Sequence, residues 1–213
     1  MPKLMCMTRL NALPLDQPVT IEPMQAFPSI KDLVTDVRVN YEHKKRIKAF
    51  QPKKPEADGT WRMSQADVDR VQEFRKCIEC YLCQDVCHVL RDRDKPAQRA
   101  KAGESTSNAF IGPRFMIRVA SLEMHPLDTD DRIPELKKEF GSGLCNITRC
   151  CTEVCPEHIG ITDNGIIPMK ERVVDRFYDP VAIIGRKLLG IRKRTQTRAE
   201  EAAAAPGATK PAK

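Results

Sequence analysis

Apolar residues recur at helical spacing in several separate stretches of the chain, joined by polar segments punctuated with proline. The first stretch follows Pro28, where Ile30, Leu33, Val34, Val37 and Tyr41 predict a helix running into the basic segment His43 to Lys48. A second is predicted from Ser64, an N-cap residue with Asp67 three positions on and Val68, Val71 and Phe74 as its apolar stripe. Phe115, Val119 and Leu122 predict a third, opened by Gly112-Pro113 and stopped by His125-Pro126. Pro134 opens a short helix expected to reach Phe140, and Ile166, Met169, Val173 and Phe177 mark another. Asp179-Pro180 is a capped start with proline at the first helical position, followed by Ile184, Leu188 and Ile191. Only Val19-Thr20-Ile21 looks strand-like, and too little surrounds it to complete a sheet.

The connecting segments are plainer. Gln51 to Gly59 is rich in proline and lysine, and residues 94–109 are polar and read as an exposed loop. Six basic residues lie between Arg186 and Arg198 with no acidic residue among them. That pattern suits a basic amphipathic helix on a membrane surface or a terminal helix docked on its own domain. The final AEEAAAAPGATKPAK reads as a disordered tail.

Composition changes the picture. Aromatic residues are 5% of 213, charged residues 31%, and there are 16 prolines, so apolar burial alone is a thin basis for stability. No run of about 18 apolar residues exists to span a bilayer as a helix. MPKLMCMTRL has neither the apolar core nor the cleavage site of a secretory signal. In an intracellular setting, cysteines are expected to be metal or redox ligands rather than disulfides. The net charge of +7 suits an anionic membrane surface, an acidic protein or nucleic acid, and does not choose among them.

Eight of the nine cysteines fall into two blocks. The first, Cys77-Ile-Glu-Cys80-Tyr-Leu-Cys83-Gln-Asp-Val-Cys87, has the spacing C-x2-C-x2-C-x3-C. The second, Cys145-Asn-Ile-Thr-Arg-Cys150-Cys151-Thr-Glu-Val-Cys155-Pro156, has the same skeleton with Thr148 where the second cysteine should stand. Cysteines every third residue reach corners of one cubane iron–sulfur cluster, and the fourth cysteine of such a run ligates the other cluster. The exchange assigns Cys77, Cys80, Cys83 and Cys155 to a [4Fe–4S] cluster. Cys87, Cys145 and Cys151 then serve a second cluster that lacks a thiolate at Thr148, which predicts a [3Fe–4S] cluster. Two four-thiolate zinc sites are the competing reading, although zinc knuckles use two ligands each rather than a triple run. Cys150 is a buried bystander or a substitute corner, and Cys6 has no partner in the chain.

His88 and His158 each follow a cysteine block and either tune a cluster by hydrogen bonding or merely pack and solvate the loop. No hydrolytic constellation and no Gly-rich phosphate loop is present, so no catalytic residue is assigned.

The double block CIECYLCQDVC and CNITRCCTEVCP resembles the C-terminal domain of the iron–sulfur subunit of succinate dehydrogenase and fumarate reductase. The resemblance covers about residues 19–178, with FPSIKDLVTDV, FIGPRF and HPLDTDDR in the expected order. It implies a mainly α fold: an α-helical ferredoxin-like domain with two Cys-rich cluster loops, preceded by a remnant of a β-grasp [2Fe–2S] ferredoxin domain. The divisions expected are 1–27 for the remnant, 28–60 for a connecting helix and linker, and 61–178 for the two-cluster domain. A basic helix over 179–194 and a tail over 195–213 follow.

The resemblance further implies electron transfer between a flavoprotein (FAD) subunit and the quinone pool, with succinate oxidised on the flavoprotein. The same seven cysteines hold the [4Fe–4S] and [3Fe–4S] clusters. A membrane-anchor subunit would hold the chain at the cytoplasmic face of the inner membrane, with quinone nearby and no nucleic acid. PKLMCMTRL resembles the end of the family's plant-type ferredoxin domain, which makes Cys6 the last of four [2Fe–2S] ligands. The others are expected upstream of Met1, so this chain as given does not support that cluster and a start read too late is expected. Where the family often has proline, tryptophan and histidine around its quinone pocket, this chain has His88, Asp92 and Asn146. The alternative function is a ferredoxin-like subunit of another oxidoreductase, of glycolate oxidase or heterodisulfide reductase type.

Overall fold

Helix Pro113–Glu123 is the axis of the molecule, and its sequence explains why. Proline pre-sets the first turn, and no glycine or further proline interrupts PRFMIRVASLE. Phe115, Met116, Val119 and Ala120 are completely buried, and even Arg114 and Glu123 are enclosed. The predicted single apolar face is therefore an understatement, because neighbours cover this helix on nearly every side. Gly112 caps it at φ 96°, and a Cβ there would stand 2.0 Å from the Gln84 side chain. Only glycine permits that approach.

The computed structural model describes residues 2–14, 16–93 and 110–188. In chain order the elements are β1 (Ser29–Lys31), β2 (Val34–Thr35), α1 (Arg38–Arg46), α2 (Gln65–Arg75), α3 (Leu82–Asp85) and α4 (His88–Arg93). There follow α5 (Pro113–Glu123), α6 (Ile133–Lys138), α7 (Cys150–Glu153), a π-helical turn (Ile161–Ile166), α8 (Ile167–Phe177) and α9 (Pro180–Leu188). The π turn packs on both α5 and α8, α2 packs on α5, and α3 meets α7. Gly165 brings the π turn so close that an added Cβ would lie 2.6 Å from Ile117 Cδ1. Glu73 on α2 fastens the same turn, accepting from Gly160 N and Asn164 Nδ2 at 2.6 Å each.

Several expectations hold locally. Ser64 caps α2, its hydroxyl oxygen accepting from Asp67 N at 3.2 Å. Asp179 caps α9, its carboxylate accepting from Val181 N at 2.8 Å. The helix opened by Pro134 ends at Lys138, and Phe140 is buried beyond it.

The stretch after Pro28 differs from its predicted helix. Residues 29–35 form an antiparallel hairpin, Ser29 opposite Thr35 and Lys31 opposite Val34, turned through Asp32 at φ 49°. The helix begins only at Arg38. Ile30 is 68% exposed and Val34 58%, so the apolar spacing there reflects no buried face. Val19 to Ile21 joins no strand among the described residues, and residues 2–27 hold two 3₁₀ turns, Met5–Met7 and Leu10–Ala12. The expected loop over 94–109 and the tail over 195–213 lie outside the described residues, as does the basic helix beyond Leu188.

Arg132 ties the connector to the domain. Its side chain is 1% exposed, pairs with Asp128 at 3.0 Å, and donates to Lys48 O and Ala49 O at 3.0 and 2.7 Å. Gln51 and Lys53 then run beside 127–129, with Lys53 N donating to Leu127 O at 2.8 Å and Thr129 N to Gln51 O at 2.9 Å.

Candidate cluster sites

The two cysteine blocks fold as copies of one device. Cys77, Cys80, Cys83 and Cys87 correspond to Cys145, Thr148, Cys151 and Cys155 at a constant offset of 68 residues. The backbone repeats with them: Glu79 and Tyr81 are left-handed at φ 57° and 60°, Ile147 and Arg149 at 59° and 65°. Each block then enters a four-residue helix, Leu82–Asp85 or Cys150–Glu153. Left-handed residues on both sides of the second position curl the chain so that successive cysteines turn inward. Such conformations are uncommon for side chains of these types and persist where the surroundings enforce them.

Thiols of the two blocks lie close together, Cys83 feeling the charge of Cys151 as well as those of Cys77, Cys80 and Cys155. Cys77, Cys80 and Cys83 of the first block share one cavity with Cys155 of the second. Cys87, conversely, feels the charges of Cys145 and Cys151, and Cys151 that of Cys145. Among the described residues no three of His, Cys, Asp or Glu could hold a single metal ion. The four thiols instead ring a space walled by Ile117, Ile159 and Ile161, which suits a larger group with several corners.

Burial dominates the thiol chemistry. It pushes Cys80, Cys87 and Cys151 above the ordinary thiol range and Cys83 well above it, with neighbouring thiolates adding to the effect. The backbone N–H of Leu82 opposes this at Cys80, and the Thr162 hydroxyl, 3.3 Å from Cys151 Sγ, opposes it at Cys151. Clustered thiolates in an apolar wall need a cationic centre among them, and iron supplies one. The donor set therefore fits an iron–sulfur cluster.

Thr148, in the position of Cys80, has its Oγ1 3.5 Å from His88 Nδ1 and 3.6 Å from Cys150 Sγ. His88 Nε2 accepts from the Asn146 amide at 3.0 Å, so His88 of the first block packs on the second. His158 is exposed; its backbone is left-handed at φ 53° and its N–H donates to Cys155 O at 3.1 Å. Cys6 is exposed and lies outside the core that contains Cys83, Cys87 and Cys151 and against which Cys77, Cys80, Cys145 and Cys155 pack.

Three participants escaped the sequence reading. Arg114 lines the four-thiol cavity with its side chain 6% exposed, and its Nη2 donates to Glu79 Oε1 at 2.5 Å. Lys44 takes the other carboxylate oxygen of Glu79. Partial burial pushes the Glu79 carboxyl up, but the Lys44 hydrogen bond and the Arg114 charge outweigh it and hold the group low. A charged residue between two cysteines carries no pattern that would reveal this pairing beforehand.

Residues 73–159 match the family of the 4Fe-4S dicluster domain, which defines the protein as a two-cluster ferredoxin-like chain. It is 27% identical over 157 residues to the succinate dehydrogenase iron–sulfur subunit of Bacillus subtilis, covering 70% of this chain and 55% of that protein. It is 31% identical over 162 residues to the fumarate reductase iron–sulfur subunit of Mycobacterium tuberculosis, covering 74% of this chain and 60% of that one. The chain thus spans a little over half the length of these curated relatives. A chain of the Mycobacterium smegmatis Sdh1 complex in the apo form superposes with a TM-score of 0.74 at 57% identity, covering 84% of this chain and 71% of that chain. The chain belongs to the family of succinate dehydrogenase and fumarate reductase iron–sulfur subunits.

Proposed function

We propose that this chain is the electron-transfer subunit of a membrane-bound succinate dehydrogenase or fumarate reductase, linking a flavoprotein (FAD) subunit to the quinone pool. The observation that carries the reading is the crosswise grouping of the cysteines, Cys155 with Cys77, Cys80 and Cys83, and Cys87 with Cys145 and Cys151. The first set would hold a [4Fe–4S] cluster and the second a [3Fe–4S] cluster, because Thr148 offers a hydroxyl where Cys80 offers a thiol. Bound clusters accept and release single electrons. The protein's part is to fix their order, exclude water with the isoleucine wall, and set their potentials through burial and hydrogen bonds. In this reading succinate is oxidised on the flavoprotein subunit.

The finer assignments follow the same reading. Residues 1–27 would be the end of a β-grasp domain with Cys6 a [2Fe–2S] ligand, supported by PKLMCMTRL and by the exposure of Met5, Met7 and Leu10. Among the described residues no helix is long and apolar enough to cross a membrane. On the family resemblance, a membrane-anchor subunit would hold the chain at the cytoplasmic face, with the quinone near the three-iron block. The polar pair His88 and Asn146 lies against that block.

Anaerobic purification of the native complex tests this reading. Flavin should co-purify, and succinate should reduce the clusters, followed by low-temperature electron paramagnetic resonance. Cys155→Ser should abolish the [4Fe–4S] signal although it lies in the second block, and Cys87→Ser the [3Fe–4S] signal although it lies in the first. Clusters that dithionite reduces but succinate does not would favour the other oxidoreductase types. Zinc without iron would refute the cluster reading altogether.

A further inference from the structure

Arg114 is held in place at both its backbone and its guanidinium. Its backbone N–H donates to Gln84 Oε1 at 3.2 Å, while Gln84 Nε2 donates to Ile111 O at 3.1 Å, which locks the start of α5 to α3. Its Nη2 is fixed by Glu79, itself set between Cys77 and Cys80. Its side chain lines both the four-thiol cavity and an adjoining basic cleft that includes Lys44, Lys48, Arg75 and Arg118.

One group of this side chain is left over. Arg114 Nε is buried, and among the described residues it has no hydrogen-bond partner. A buried donor on a charged group is costly to leave unpaired, and native interiors seldom do so without an acceptor or a functional reason. The cavity wall is largely isoleucine, with Ile78, Ile117, Ile159 and Ile161 offering no acceptor side chain; Tyr81 and Glu157 also line it, yet neither accepts from Arg114 Nε. Sulfur fits the gap. Thiolate and sulfide atoms of a cluster accept hydrogen bonds, and such bonds are among the determinants of its potential.

The geometry points to Arg114 as a hydrogen-bond donor to the sulfur of the [4Fe–4S] cluster, a charged group that holds the potential of that one cluster up. The inference rests on the assignment of Cys77, Cys80, Cys83 and Cys155 made above. Reduction adds negative charge, and a fixed guanidinium in a low-dielectric wall favours the reduced state. Glu79 works against it, since its carboxylate sits on the same guanidinium and disfavours added negative charge. The triad of Lys44, Glu79 and Arg114 thereby sets a potential between two opposed charges, and its two halves should move that potential in opposite directions.

Potentiometric titration of the native complex, read by electron paramagnetic resonance of each cluster, tests this. Arg114→Gln should lower the [4Fe–4S] midpoint by about a tenfold change in equilibrium constant, about 59 mV for a one-electron couple. Arg114→Lys should recover part of the loss, Glu79→Gln should raise the midpoint, and the [3Fe–4S] midpoint should stay put in all three. An unmoved [4Fe–4S] midpoint in Arg114→Gln with full iron content overturns the inference. So does a Glu79→Gln midpoint that fails to rise, a test that stands even where Arg114→Gln does not assemble. Absence of any [4Fe–4S] signal from the unaltered complex would refute the ligand assignment itself, a failure distinct from unmoved midpoints in variants with normal signals.

Discussion

Thr148 occupies in the second cysteine block the place that Cys80 occupies in the first, each between two left-handed residues and each one turn before a short helix. The repeat puts a hydroxyl and a methyl where the first block has a thiol. A thiol there would supply a fourth corner to the proposed second cluster.

Thr148→Cys should therefore convert the three-iron cluster into a four-iron one. The expected result is the loss of the oxidised three-iron paramagnetic signal and a gain of one iron per chain. Cys150→Ser should leave the three-iron signal intact, since Cys150 Sγ lies 3.8 Å from Thr148 O and makes its contacts with Thr148 rather than with the ligand set. A three-iron signal surviving Thr148→Cys would mean that position 148 does not face the cluster.

Arg132→Met should destabilise the protein by about 3–5 kcal/mol, because Asp128 would be left buried without its cation. The loss also frees Lys48 O and Ala49 O, so the connector should detach early. Denaturant unfolding measures the cost, and hydrogen exchange at Lys53 and Thr129 should report the detachment. Adding Asp128→Asn to the same variant should recover part of the stability.

His125 makes stability depend on pH. Its ring packs edge-on against Phe50 at 5.0 Å, and its Nδ1 accepts from Leu127 N at 3.2 Å. Burial, helped by the Arg75 charge and opposed by Asp128, lowers its pKa from 6.5. The unfolded chain therefore binds the proton more readily than the fold does. The contribution of His125 is fully present above pH 6.5 and is lost as pH falls from there through the lowered folded value. Thermal unfolding across that window should decline less steeply in His125→Gln, whose side chain carries no proton in that range. An identical slope in both proteins would exclude His125 as the source.

The candidate ligands were legible in the sequence because cluster chemistry is written in spacing. Cys77, Cys80 and Cys83 are one turn apart, Thr148 breaks the second run, and Ser64 and Asp179 announce helix starts through hydrogen bonds made within three residues. Such features depend on local chemistry, so a linear reading reaches them. The hairpin at 29–35 was not legible, since Ile30 and Val34 stand at helical spacing while exposed in a turn. Nor were the left-handed conformations of Glu79, Tyr81, Ile147 and Arg149, which none of these residue types favours. Long-range pairings decided the rest. Arg114 met Glu79 and the thiol cavity, and Arg132 met residues 48 and 49, only after helices far apart in sequence had packed. By itself the sequence determined which residues carry thiols at cluster spacing and that Thr148 stands where the second run would have one. Tertiary structure alone decided which charges stand beside them, because burial and charge proximity are properties of assembled neighbours rather than of any single segment.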